Sequence, residues 1–65
     1  MTPHTEIVAF AVRWLPFGGP PAEDVYVTYG LTYEHFRERL ADALVREARH
    51  VAPATAVALA KAYRL

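Results

Sequence analysis

The sequence predicts an all-α fold, a small domain of three to four helices within its 65 residues. Apolar residues recur at intervals of three and four, the spacing that places them on one face of a helix. No stretch alternates apolar and polar residues with the period of two that a half-buried strand requires. Clusters of proline and glycine divide the chain into segments. The predicted helices span about residues 5–15, 21–29, 32–49 and 53–64.

The first helix is predicted from one apolar stripe and from the loop that follows it. Ile7, Phe10, Ala11 and Trp14 occupy positions i, i+3, i+4 and i+7 of a single helical face. Residues 16–21 then contain three prolines and two glycines. Proline lacks the amide hydrogen that a helix needs, so the helix must end before this segment.

The second segment can be interpreted as a helix or as a strand. Residues 25–27, Val-Tyr-Val, have strand propensities, whereas Pro21, Glu23 and Asp24 are typical of the first turn of a helix. A single strand would leave its backbone groups without partners. The sequence therefore favours a short helix over residues 21–29, with Gly30 as the left-handed residue that ends it.

The third and fourth helices differ in how their apolar residues are distributed. Thr32 is expected to cap the third helix, whose apolar residues lie within one arc: Tyr33, Phe36, Leu40, Ala43 and Leu44. The fourth helix is apolar nearly all round, with charges only at Lys61 and Arg64. Such a helix is either central to the core or the contact between two copies. The 54% hydrophobic content favours a homodimer, because a domain this small cannot bury so much apolar surface alone.

The composition argues against an enzyme. The chain has no cysteine and no serine, so the usual nucleophiles, thiolate metal sites and disulfides are excluded. Glu34, Glu38 and Asp42 form a column at i, i+4 and i+8 with His35 beside it, but a solvated helix face explains this column better than a metal site. We expect no cofactor, no metal and no small-molecule substrate.

The sequence also predicts the cellular location of the protein. The absence of cysteine fits a reducing cytoplasm, and the apolar run of residues 7–17 is interrupted by Arg13 and is too short to cross a membrane. We therefore expect a cytoplasmic protein without membrane contact.

The segment around Gly30 follows part of the helix-turn-helix pattern. Val25, Tyr29, Leu31 and Phe36 supply apolar positions on both sides of the glycine. Tyr26 departs from the pattern, which favours a small residue at that position. The sequence thus predicts a helix-turn-helix-like core.

The chain resembles a small uncharacterised actinobacterial family of helix-turn-helix-like proteins. The residues that carry the resemblance are Glu6-Ile7, Ala9-Phe10, Trp14, Gly18 or Gly19, Gly30-Leu31-Thr32, Leu40 and Leu44. The resemblance implies a role in DNA binding or transcription regulation. The arginines available for phosphate contacts with duplex DNA are Arg37, Arg39, Arg46 and Arg49.

A protein-interaction module is the alternative function. Glu38 and Asp42 lie at the centre of the outward side of the third helix, and carboxylates there oppose phosphate binding. Together with Glu34 they form an acidic face that suits another protein, and the apolar fourth helix is the other surface through which such a module could dock. Trp14 and Phe17 are candidate anchors for such a partner if they are exposed.

Overall fold

The computed structural model describes residues 4–65 and contains four α-helices within that range. They are α1 (His4–Arg13), α2 (Ala22–Tyr29), α3 (Tyr33–Arg46) and α4 (Pro53–Tyr63), and a 3-10 turn, Leu15–Phe17, follows α1. No β-strand is present in residues 4–65. The all-α prediction is confirmed for this part of the chain.

The helix α1 is shorter than the sequence predicts. It ends at Arg13, and a tighter turn replaces its last residues because Pro16 cannot donate the next helical hydrogen bond. The amides of Phe17 and Gly18 donate to the carbonyls of Trp14 and Leu15, each at 3.0 Å. The turn places Phe17 at the surface, outside the apolar stripe that α1 buries.

The segment that was ambiguous in the sequence is the helix α2, and the turn after it has the predicted caps. Gly30 adopts a left-handed conformation (φ 68°), and its amide donates to the Tyr26 carbonyl at 2.7 Å. The Thr32 hydroxyl accepts a hydrogen bond from the His35 amide at 3.2 Å. These two caps fix where α2 ends and α3 begins.

The helix α3 ends at Arg46, three residues before the predicted end at residue 49. Glu47 has left the helical conformation (φ −103°, ψ 19°), and the His50 amide closes a turn on its carbonyl at 2.9 Å. The early end reverses the chain, so that α4 packs back against α3. The helix α4 begins at Pro53 and ends at Tyr63, because Arg64 is left-handed (φ 55°).

The core lies mainly between α1 and α3, and α4 covers one end of both helices. The hydrophobic core consists of Ile7, Val8, Phe10, Ala11, Val25, Phe36, Leu40, Ala43, Leu59 and Tyr63. Phe36 is at the centre: its ring lies 5.7 Å from that of Phe10, 5.9 Å from Tyr29 and 6.0 Å from Tyr63. Aromatic packing therefore connects all four helices.

Tyr63 joins α4 to both α1 and the loop before α2. Its buried hydroxyl donates to the Ala11 carbonyl at 2.8 Å, one of the last four carbonyls of α1. A Cβ on Gly19 (φ 109°) would lie 3.5 Å from the Tyr63 ring and 3.1 Å from the Tyr33 hydroxyl. Only glycine combines that backbone conformation with this close approach.

We expect Tyr63→Phe to lower the free energy of unfolding by about 1 kcal/mol at neutral pH, since the Ala11 carbonyl loses its partner. Burial, with a smaller contribution from Tyr33, raises the pKa of Tyr63 to about 12 from the ordinary 10.0. The folded protein therefore favours the protonated hydroxyl over the tyrosinate. This contribution to the free energy of unfolding is fully present below pH 10.0 and is lost as the pH rises through about 12. Urea unfolding at several pH values measures both effects.

The substitution Tyr63→Phe should also make the alkaline loss of stability smaller. Part of that loss remains, because burial and, secondarily, Glu6 raise the pKa of Tyr29 as well. The control is Tyr26→Phe, whose side chain is exposed. An equal alkaline loss in wild type and Tyr63→Phe would contradict the assignment.

Candidate interaction surfaces

The outward side of α3 carries carboxylates and one exposed apolar side chain. The helix buries Phe36, Leu40 and Ala43, so the side chains that point away from the core centre on Glu38 and Val45. Glu34 lies on the same side, and all three are exposed, with Val45 at 77%. This face has carboxylates and no cation at its centre, whereas a phosphate backbone attracts a positively charged surface.

Arg37 is bound to the end of α4. Its Nε donates to the Tyr63 carbonyl at 2.7 Å, and one Nη donates to the Arg64 carbonyl at 2.6 Å. The guanidinium therefore satisfies carbonyls at the C-terminus of a helix, where a cation is favourable. These two bonds connect α3 to the end of α4.

The remaining three predicted phosphate contacts are exposed. Arg46 donates to the Asp42 carboxylate at 2.9 Å, and the two side chains are 61% and 55% exposed. Such an i,i+4 pair contributes about 0.3–0.5 kcal/mol to stability. Arg39 on α3 and Arg49 in the following turn form no ion pair with any residue of the range 4–65. Arg39 lies at one edge of α3, not on its outward face, and Arg49 lies beyond the end of the helix.

The acidic column of α3 is exposed to solvent. Glu34 and Glu38 are exposed, and Asp42 is already bonded to Arg46. Among residues 4–65 there is no group of three or more histidine or carboxylate side chains arranged to hold a metal ion.

A groove of about 550 Å³ lies between the end of α1 and the helix α2. Its lining residues are Phe10, Arg13, Trp14, Phe17, Asp24 and Thr28. The C-terminal turn of α1 and the 3-10 turn form one wall, and Asp24 and Thr28, one helical turn apart, form the other. We call this the aromatic groove.

The aromatic groove presents a phenylalanine to solvent. The side chain of Phe17 is 74% exposed, and its ring meets Trp14 edge to face with 5.6 Å between centroids. Trp14 in turn lies 6.5 Å from Phe10, which is buried and packs against Phe36. The rings thus run continuously from the surface into the core, with Trp14 between Phe17 and Phe10.

The two walls of the aromatic groove carry opposite charges. Arg13 is exposed at the end of α1, and Asp24 is half-buried in the first turn of α2. They form no salt bridge with each other or with other residues of the described range. The groove therefore offers one cation, one anion and an aromatic surface to the same occupant.

The helix α4 is buried on one side only. Leu59 and Tyr63 are inaccessible, whereas Val57 is 55% exposed. Exposed apolar side chains remain on every element of the fold: Val12 on α1, Phe17 in the 3-10 turn, Tyr26 and Val27 on α2, Val45 on α3 and Val57 on α4.

Comparisons with protein-family models, with curated proteins and with solved structures found no match to this chain. None of the helices within residues 4–65 has the length and apolar character that crossing a bilayer demands.

The structure brings together residues that the sequence did not connect. Trp14 and Phe17 were predicted as anchors, but Arg13, Asp24 and Thr28 were not predicted to line the same groove. The spacing of Asp24 and Thr28 places them on one face of α2. This spacing is the only feature of the sequence that indicates a shared position for two of the groove residues. The path of the loop through Gly18 and Gly19 decides which part of α1 they face, and no local pattern encodes that path.

Proposed function

We propose that this chain is a helical protein-interaction module that docks a partner in the aromatic groove. The observation that carries the proposal is the exposure of Phe17 beside the half-buried Trp14. Apolar side chains that adjoin one another at the surface mark interaction sites, whereas single scattered ones do not, and the rings of Phe17 and Trp14 are in contact. Aromatic residues held rigidly in a groove are also the residues that contribute most at protein interfaces. No catalytic residue forms part of the proposal.

Affinity capture with the purified chain tests this function. From extracts of the source organism, the chain should capture a protein partner, and Phe17→Ala should weaken that binding by roughly tenfold or more. The matched control is Val45→Ala, which removes an equally exposed apolar side chain from α3. Retention of the partner by Phe17→Ala, with its loss from Val45→Ala, would contradict docking in the groove.

DNA binding is the second candidate function. It is favoured by α2, the Gly30 turn and α3, with Val25 and Phe36 buried on either side of the turn, and by the exposed Arg39 and Arg49. The helix-turn-helix core is part of this proposal. Two results would support it. The affinity for random duplex DNA should fall steeply as the salt concentration rises, and at low salt it should be weaker for the double variant Arg39→Ala/Arg49→Ala than for the wild type.

Two further surfaces belong to the protein-interaction proposal. The acidic face of α3, which comprises Glu34, Glu38 and Asp42, suits a basic protein surface. The exposed Val57 supports α4 as the contact of a homodimer, because it adds apolar area to the outer side of that helix.

A further inference from the structure

We propose that the occupant of the aromatic groove is a peptide segment of another protein, with an apolar side chain between an acidic and a basic residue. The apolar side chain packs on Trp14 and Phe17, the acidic residue pairs with Arg13, and the basic residue pairs with Asp24. This inference rests on the proposed function and specifies the partner that the groove selects.

The shape of the groove favours a peptide over a small molecule. Its volume of about 550 Å³ accommodates a large side chain and the backbone around it. The groove is open along its outer side, and Phe17 is mostly exposed. A small molecule needs a site that covers most of its surface, whereas a peptide needs one anchoring pocket and a path for its chain.

The charges of the walls give the peptide a direction. Arg13 extends from the end of α1 and Asp24 from the start of α2, so cation and anion face the groove from opposite sides. They form no salt bridge with each other. A peptide with its acidic residue on the α1 side and its basic residue on the α2 side pairs both, and the reversed order opposes like charges.

Selection from a phage-displayed library of random linear peptides tests the proposal. The full chain should enrich sequences with an aromatic or large aliphatic residue flanked by an acid and a base in one constant order. The double variant Arg13→Glu/Asp24→Lys should enrich the opposite order. Asp24→Asn, a milder change, should lose the preference for the basic residue only. Circular dichroism of each variant establishes that it is folded.

Binding of a selected synthetic peptide provides the second measurement. Trp14 is the single tryptophan of the chain, so its fluorescence reports occupancy of the groove. Saturable changes in Trp14 emission, with affinity reduced by roughly tenfold or more in Phe17→Ala, are expected.

The outcomes separate the inference from the function on which it rests. The inference is overturned if the selected peptides require Phe17 but show no constant order of acidic and basic residues. It is also overturned if the double variant selects the same order as the wild type. Both outcomes leave the docking function intact. Peptides that bind regardless of Phe17 overturn both the inference and the docking function. If light scattering shows a homodimer that Phe17→Ala dissociates, a second copy occupies the groove and the inference is wrong.

Discussion

The variant Phe36→Ala is expected to be unfolded at room temperature. Phe36 is fully buried, and its ring lies about 6 Å from the rings of Phe10, Tyr29, Tyr33 and Tyr63. Truncation of such a ring lowers the free energy of unfolding by about 3–5 kcal/mol. A core in a domain of this size supplies about that much in total, so nothing would remain. Far-UV circular dichroism and urea unfolding measure the loss.

Two comparisons make the Phe36 prediction specific. Phe36→Leu keeps an apolar side chain in the site and should leave a folded domain of lower stability. Val45→Ala removes an exposed side chain from the same helix and should change stability by less than about 0.5 kcal/mol. Cooperative unfolding of Phe36→Ala near the wild-type urea midpoint would contradict the central position of this ring.

The second large effect is expected for Arg37→Met, with a loss of about 2 kcal/mol in the free energy of unfolding. Methionine preserves most of the apolar stem but removes both hydrogen bonds to the end of α4. In these charge-assisted bonds the guanidinium donates to carbonyls that the helix itself leaves unpaired. Without them, α4 should also exchange its amide hydrogens faster than α1, which hydrogen-exchange measurements detect.

The neighbouring arginine is the matched control for Arg37. Arg39 lies on the same helix and is exposed, so Arg39→Met should leave stability almost unchanged. Arg37→Lys keeps the charge but not the planar fork, so it should recover only part of the loss. Equal stabilities of Arg37→Met and Arg39→Met would show that Arg37 does not hold α4.

The helical elements could be predicted because local chemistry determines them. Gly30 and Thr32 act through contacts within one helical turn, so their residue types alone indicate the end of α2 and the start of α3. The ends at Arg13 and Arg46 were misplaced by a few residues. There, the choice between a helix and a tighter turn depends on where the chain must go next, which a local pattern does not contain.

The buried side of α3 was predicted approximately. The sequence predicts Tyr33, Phe36, Leu40, Ala43 and Leu44 on the buried side and Glu38 and Asp42 at the outward centre. In the structure Tyr33 and Leu44 are half-buried, the fully buried residues are Phe36, Leu40 and Ala43, and the outward centre lies at Glu38 and Val45 instead of Asp42. The rotation follows from packing against α1 and α4, and it moves Val45 to the outward side. The partners of Arg37 could not be foreseen, because they lie 26 and 27 positions away in the sequence.

The central claim, docking of protein in the aromatic groove, is tested most directly by amide NMR spectra of the isotope-labelled chain. A library-selected peptide and random duplex DNA at low ionic strength would be titrated separately. We expect the peptide to shift the Trp14 indole and the amides of residues 13–15, 17–19, 24 and 28, and DNA to shift none of them. Salt-sensitive shifts with DNA at Arg39 and Arg49, with no shift at Trp14 from any selected peptide, would contradict it.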